Sequence, residues 1–273
     1  MISVCLATYN GEKYIKEQLI SILSELSEDD EIIISDDHST DKTIDIIKAL
    51  NDKRVKIFEN PGKNGVSTNF ANAIEHATGS YIFLSDQDDV WIKGKVELSL
   101  NSINAAESAN PSVPVLVYTD IKIVDECLNV IVDSSFAQSG QNPEDAIKEN
   151  VLTVSNRLMG CTMAFNELTK QYILPMPENI IMHDWWIALC VAKNGIIVPI
   201  KNATLLYRQH SGNVIGSTIV NKPSLMSRIK LLPQKFAFNI KIYQMVKRVY
   251  KIDFFTFALR KALLHVPQMG LKK

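Results

Sequence analysis

The run Asp86-Gln87-Asp88-Asp89 is the densest set of chemically capable side chains in this 273-residue chain. Carboxylates two apart in a loop can share a hard divalent cation. One or two carboxylates together with substrate phosphates are the oxygen set that Mg2+ and Mn2+ favour. The same four residues also read as a capped turn before Val90, so the run gains weight only from its company. Asp36-Asp37 is a second acidic pair. Ser39 and Asp41 suffice to cap the helix that follows, which leaves Asp37 free to accept the ring N–H of a uracil or thymine. Asp184 stands between His183 and the pair Trp185-Trp186. It reads either as a helix cap or as a general base against an apolar wall, where desolvation raises its pKa and strengthens it. In Tyr207-Arg208-Gln209-His210 an imidazole can complete a metal site and a guanidinium can meet a phosphate, although each residue type is equally at home on a surface.

The elements around these residues follow from hydrophobic period. Residues 2–7 form an apolar run ending in the polar turn Thr8-Tyr9-Asn10-Gly11, and residues 12–26 carry apolar side chains at helical spacing. A β-branched run at 31–34 ends at Ser35-Asp36-Asp37, and a helix capped within Ser39-Thr40-Asp41 runs to Leu50. Residues 55–58 read as a third strand, 70–77 as a helix stopped by Gly79, and 81–84 as a fourth strand that runs into Asp86. Strand and helix in alternation predict an α/β fold with a parallel sheet. Ligands of such sheets bind beyond the carboxyl ends of the strands, so two acidic clusters and one small polar turn fall on one edge. Further on, strands are expected at 115–118 and 121–124 around Asp120, loop at 134–150, a helix at 184–193, and strands at 196–200 and 204–207.

The formal net charge of −1 conceals an asymmetry. Residues 221–273 hold 12 of the 29 Lys and Arg against one acid, Asp253, a net of +11, whereas residues 1–220 keep 17 basic and 29 acidic side chains, a net of −12. A body so acidic speaks against a broad nucleic-acid footprint, and no nucleic acid is expected as a partner. Hydrophobic residues at 46% and charged residues at 22% exclude a disordered chain. Cys5, Cys127, Cys161 and Cys190 form no CxxC pair, which argues against a zinc knuckle and suits a reducing compartment. The opening MISVCLATYN lacks the basic and long apolar parts of a signal peptide, and no run approaches the roughly 18 apolar residues of a membrane span. The expectation is a cytoplasmic chain that does not cross a membrane.

Taken together, SVCLATYNGEKYI, IISDDHSTDKT, NGVSTNFANAI, GSYIFLSDQDDVW, the MHDWW block and LLYRQHSGNVIG resemble family-2 glycosyltransferases of the GT-A fold, above all bacterial rhamnosyl-, glucosyl- and galactosyltransferases of capsule or O-antigen assembly. The resemblance covers about residues 2–216 and implies a Rossmann-like mixed sheet flanked by helices. It implies that Ala7, Thr8 and Tyr9 line the base and ribose of a UDP- or dTDP-sugar, that Asp37 binds the pyrimidine, and that Asn69 lies beside the nucleotide. Asp86, with Gln87, would face ribose or metal, and Asp88 would hold Mg2+ or Mn2+, with Asp89 as the alternative ligand. His210 would be a second ligand near the diphosphate. Asp184 would deprotonate the acceptor hydroxyl, Cys161 would sit in the loop beside the donor sugar, and Trp185 and Trp186 would stack on the acceptor. The implied reaction is an inverting, metal-dependent transfer of a hexose or deoxyhexose to a saccharide acceptor, with a lipid-linked one as the usual kind. A non-catalytic nucleotide-sugar-binding or scaffold protein of the same fold is the alternative. A nucleotidyltransferase is disfavoured because no Gly-rich phosphate loop follows the first strand.

The domain expectation is residues 1–220 for the transferase fold and 221–273 for a basic helical tail punctuated by Pro223, Pro233 and Pro267. In the tail Phe236, Ile240, Tyr243 and Val246 make one apolar stripe flanked by Lys235, Lys241, Lys247 and Arg248. The tail reads either as a cap on the acidic body, in a monomer or a homo-oligomer, or as a peripheral anchor on the anionic inner face of a cell membrane.

Overall fold

The computed structural model describes residues 1–140, 142–210 and 232–264. In chain order the elements are β1 Ile2–Thr8, α1 Ile15–Leu23, β2 Glu31–Asp36, α2 Thr43–Ala49, β3 Val55–Glu59, α3 Val66–His76, β4 Tyr81–Ser85, β5 Val90–Trp91 and α4 Lys95–Ala109. There follow β6 Val115–Val124, β7 Val130–Val132, the short helices α5 Ser135–Ser139, α6 Pro143–Ala146 and α7 Glu149–Leu152, then β8 Met163–Asn166 and α8 Lys170–Ile173. The last are α9 His183–Asn194, β9 Ile196–Arg208, α10 Leu232–Lys247 and α11 Phe254–Leu263.

One mixed sheet runs in the order β3-β2-β1-β4-β8-β6-β9-β5, with β7 alongside β6. The first four strands are parallel, as their alternation with helices predicts. β8 then enters antiparallel to both β4 and β6. β1, β2 and β4 are buried on both faces, which is why they read as continuous apolar runs rather than alternating ones. One face packs Cys5, Ile33, Ile82 and Leu84 against Phe70 and Ile74 of α3 and Ile187 and Val191 of α9. The other packs Val4, Leu6, Ile32, Ile34 and Phe83 against Ile15, Leu19 and Ile22 of α1, Ile47 of α2 and Ile103 of α4.

Several expectations shift. The two strands around Asp120 are one ten-residue strand with register irregularities at Thr119 and Asp120. The buried Asp120 carboxylate turns away to accept the backbone N–H groups of Ser135 (3.1 Å) and Phe136 (3.1 Å) at the start of α5, so the irregularity serves a cap. The two strands beyond α9 are one continuous β9. Residues 134–150, expected as loop, fold into α5, α6 and the start of α7. α3 begins at Val66, four residues earlier than period alone suggested.

The basic tail is a helical extension whose inner side belongs to the core. Ile242, Met245, Val246, Tyr250, Ile252 and Phe257 are buried in the same cluster as α3 and α9. The stripe expected on α10 is therefore split: Val246 is buried, Tyr243 and Ile240 are half-buried, and Phe236 is exposed. Residues 221–231 and 265–273 lie outside the described residues, including Pro223 and Pro267. Among the described residues no helix is long and apolar enough to cross a membrane. Because Phe257 is only 2% exposed, Phe257→Ala should lower the stability of the whole molecule by about 3–5 kcal/mol in urea unfolding. An appendage that only leans on the body would leave the main transition where it was.

Candidate active site

The parallel pairing of β1 with β2 and β4 sets Thr8 level with Asp36 and Leu6 level with Ser85. The polar turn after β1 and both acidic runs thus emerge side by side at one sheet edge. Thr8 is the hub. Its carbonyl accepts the Asp37 backbone N–H (2.9 Å) and the Asn69 side-chain amide (3.0 Å), and its hydroxyl donates to Asp36 (2.8 Å). Asp36 also accepts the hydroxyl (2.6 Å) and backbone N–H (2.8 Å) of Ser39, and Asp41 accepts the Thr43 N–H at the head of α2. Of the two expected caps only Asp41 engages the head of α2, since Ser39 donates to Asp36 instead, and Asp37 takes no part in the capping. Asp37 is nevertheless engaged: one carboxylate oxygen accepts the Asn60 amide (2.7 Å) and the other the Gly65 backbone N–H (2.9 Å). These donors fix the plane of its carboxylate. The Asn69 Oδ1 is buried and without a protein donor.

Gln87 joins the two sides of this edge. Its Oε1 accepts the Tyr9 backbone N–H (2.9 Å) and its Nε2 donates to the Tyr9 carbonyl (3.0 Å). The pair is possible because residue 11 is glycine: a Cβ there would lie 2.3 Å from Gln87 Oε1. Ala7 is half-buried and Tyr9 is exposed at the rim.

The acidic run is held in place from below. Gln18 of α1 donates to the Ser85 hydroxyl and to the Asp86 carbonyl (3.1 Å). Arg208 at the end of β9 is 2% exposed and donates to the Asp88 carbonyl (2.9 Å), the Glu126 carbonyl (2.6 Å) and the Glu17 carboxylate. Its backbone N–H donates to Asp89 (3.1 Å), and its guanidinium lies 4.7 Å from the centre of the Tyr14 ring. Of the two readings open for Arg208, phosphate contact or plain surface residue, the structure shows neither: the guanidinium is buried and ties the Asp88 carbonyl to Glu126 and Glu17. His210 pairs with Asp88 through Nε2 at 2.8 Å. The two residues expected to share a metal are in contact.

Deeper in, Asp86, Asp89 and Cys161 bring their ligand atoms within 4.8 Å of one another. Burial, then the charges of Asp88 and Asp184, push the Asp86 carboxyl up to about 7. Asp89 is raised for the same first reason, with Asp88 and Asp86 adding to it, and its Oδ2 has no protein donor. The two carboxylates and the orphaned Asp89 oxygen are the donor type a hard divalent cation takes, with the Cys161 thiol as the third member of the group. Asp88 and His210, paired with each other, lie next to this group and outside it. Asp89, 1% exposed, is turned inward.

Asp184, in the first turn of α9, is 7% exposed. Burial pushes it up to about 6 against the donors that favour its charged form, the Trp185 N–H (2.5 Å), the Asn156 side chain and the Gly160 N–H. His183 stacks on Phe70 at 4.0 Å, and both of its ring nitrogens are buried without partners. Burial pulls it down to about 3, so it stays neutral. A Cβ at residue 160 would come within 2.5 Å of its Nε2, which explains the glycine beside Cys161.

Trp185 and Trp186 do not present a face to a sugar. They are 5% and 7% exposed, and their indole N–H groups donate to the carbonyls of Leu152 (2.7 Å) and Ile173 (2.9 Å). The pair anchors α9, and so Asp184, in the core. Lys95 was not anticipated. It is 1% exposed and donates to the Cys161 carbonyl and the Thr204 hydroxyl, both at 3.3 Å. Burial pulls its pKa down to about 8, while Asp89 and Cys161 favour its charge. Its sequence position at the start of an ordinary helix carries no signal of this.

The chain matches the model of glycosyl transferase family 2 over residues 3–126. It belongs to that family and is a glycosyltransferase. A putative teichuronic acid biosynthesis glycosyltransferase, TuaG of Bacillus subtilis, is 34% identical over 219 residues, covering 80% of this chain and 82% of that one. The dTDP-rhamnosyl transferase RfbG of Shigella flexneri is 29% identical over 233 residues, 78% of this chain and 74% of its own length. WfgD of Escherichia coli, a UDP-Glc:alpha-D-GlcNAc-diphosphoundecaprenol beta-1,3-glucosyltransferase, matches over 37% of this chain and 40% of its own length at 29% identity. Among solved structures, S. aureus TarS 1-349 in complex with UDP superposes with a TM-score of 0.62 at 18% identity over 96% of this chain and 70% of that one, a likeness of fold. The GT-A architecture expected from the motifs is the one observed.

Two predictions follow from the electrostatics and the ties. Asp184 at about 6 lies above the unfolded carboxylate value of about 3.9, so the folded chain keeps a proton that the unfolded chain releases. Its stabilising share is full below about pH 4 and is lost as pH rises through about 6. Asp184→Asn should therefore flatten the fall in stability between those limits, by roughly 2–3 kcal/mol at most, in denaturant titrations across pH. Arg208→Met should cost about 1–3 kcal/mol by thermal or urea unfolding, because the part-buried carbonyls of Asp88 and Glu126 lose their donor.

Proposed function

We propose that the protein is an inverting, metal-dependent glycosyltransferase. It moves a hexose or deoxyhexose from a UDP- or dTDP-sugar to a saccharide acceptor, lipid-linked in kind, during assembly of a bacterial surface polysaccharide. The observation that carries this reading is a buried, pKa-raised Asp184 facing an acidic sheet edge, close enough for its charge to act on Asp86. The names of the relatives supply the substrate classes. RfbG is a dTDP-rhamnosyl transferase, WfgD and WfaP take UDP-Glc to a diphosphoundecaprenol-linked sugar, and TuaG is assigned to teichuronic acid biosynthesis. A fold neighbour, the mannosyltransferase PcManGT of Pyrobaculum calidifontis, holds GDP-Man and Mn2+.

In this reading the turn at Ala7, Thr8 and Tyr9 receives base and ribose, with Asp37 and Asn69 at its floor. Asp37 keeps spare lone pairs for a ring N–H beyond the donors that orient it, and Asn69 offers its unpartnered Oδ1. Asp88 and His210 would hold the divalent cation, with Asp86 and Gln87 beside them and Cys161 toward the donor sugar. When bound, the cation supplies positive charge for the oxygens of the departing diphosphate. Asp184 takes the proton of the acceptor hydroxyl as that oxygen attacks the anomeric carbon from the face opposite the diphosphate. The new C–O bond forms, the sugar–phosphate bond breaks, and its electron pair leaves with the nucleoside diphosphate. With a pKa of about 6, Asp184 is ionised at neutral pH yet far more basic than an exposed aspartate.

Asp184→Asn should lower transfer by about 10²–10⁴-fold while donor binding is retained. Asp88→Asn should weaken Mn2+-supported nucleotide binding measured by calorimetry. Full transfer in both variants would exclude the mechanism, whereas donor binding with no transfer by the wild-type chain on any acceptor would favour the scaffold reading. Activity should fall as pH drops through about 6.

A further inference from the structure

Helix α11 is oriented the wrong way round for a soluble surface. Its basic residues point inward: Arg260 donates to the Thr153 hydroxyl (3.1 Å) and to Glu149 (3.0 Å), and Lys261 donates to the Val154 carbonyl (2.5 Å). Phe257 sits beside them in the core at 2% exposure. The outward line is apolar. Phe255, Leu259 and Leu263, at i, i+4 and i+8, are 77%, 50% and 59% exposed. Phe254 next to them is 43% exposed, and Phe236 and Phe238 of α10 are also open to solvent. Among the described residues, six of the thirteen large exposed hydrophobics thus fall within these two helices. Solvent-exposed apolar groups gathered in this way mark an interaction surface.

Charge decides what covers it. Lys235, Lys241, Lys247, Arg248 and Lys251 are exposed on α10 and the connection to α11. The one acid there, Asp253, is taken up in capping α11 through Thr256. Cation and apolar side chains are neighbours: the Lys247 ammonium lies 5.9 Å from the Tyr243 ring centre, and Tyr243 meets Phe254 edge-on at 5.3 Å. A second copy docked on this face by two-fold symmetry would set these cations against themselves. An anionic lipid surface satisfies both halves, with apolar side chains entering the headgroup boundary and cations meeting the phosphates.

We propose that the outer face of α10 and α11 docks on an anionic bilayer surface through Phe255, Leu259 and Leu263, with the exposed Lys and Arg of α10 around them. This corrects the stripe drawn on α10 from sequence, part of which is buried, and it does not depend on the transfer chemistry. The full chain should co-sediment with phosphatidylcholine–phosphatidylglycerol vesicles, far less with pure phosphatidylcholine, and less in high salt. Phe255→Glu with Leu259→Glu should reduce binding by about tenfold or more without moving the thermal midpoint, since both side chains are exposed. Lys247→Glu with Arg248→Glu should weaken binding by at least about fivefold per position. The proposal is overturned if the wild-type chain ignores anionic vesicles, binds pure phosphatidylcholine equally well, or binds unchanged after Phe255→Glu/Leu259→Glu. It is equally overturned if light scattering shows a dimer that the same double variant dissolves, which would assign the face to a second copy.

Discussion

The burial of three carboxyls at one sheet edge, Asp86, Asp89 and Asp184, is the constraint around which this molecule is built. Desolvation raises all three, the charge of Asp88 adds to it at Asp86 and Asp89, and the loop that carries them is held by ties from outside. The restraints are neutral or cationic and come from three directions. Gln18 ties the run from α1, Arg208 from β9, and Lys95 from α4 by way of the Cys161 carbonyl.

The sheet makes this arrangement affordable in structural terms. Strands buried on both faces commit the parallel half to a rigid register, and the register brings the three polar ends together. The antiparallel β8 and the long β9 then return the chain so that Cys161 and Arg208 reach the same edge from the other side. α9 is pinned by its two indoles, and the C-terminal helices close over the same cluster.

The sequence made most of the parallel half legible, because two-sided burial writes itself as apolar runs and their polar ends mark the edge. It showed Asp86, Asp88, Asp184 and His210 as candidates, and the fold gathers them. It misjudged residues whose meaning depends on what lies across space. Trp185 and Trp186 look the same in one dimension whether they face a sugar or the Leu152 and Ile173 carbonyls. Arg208 is open between a phosphate contact and a surface position until its guanidinium is seen donating to Asp88, Glu126 and Glu17. Lys95 is one more lysine until its burial is known, and the stripe on α10 follows a helical period that cannot say which side the body occupies.

Gln87 has a wider consequence. Its amide bonds both backbone groups of Tyr9, as a neighbouring strand residue would, so the hydrogen-bonded ladder continues one step past the end of β1 without any strand being there. The turn beside Thr8 and the loop bearing Asp86 and Asp88 are thereby joined outside the sheet. The contact between the two loops is thus made by side chain rather than by strand pairing.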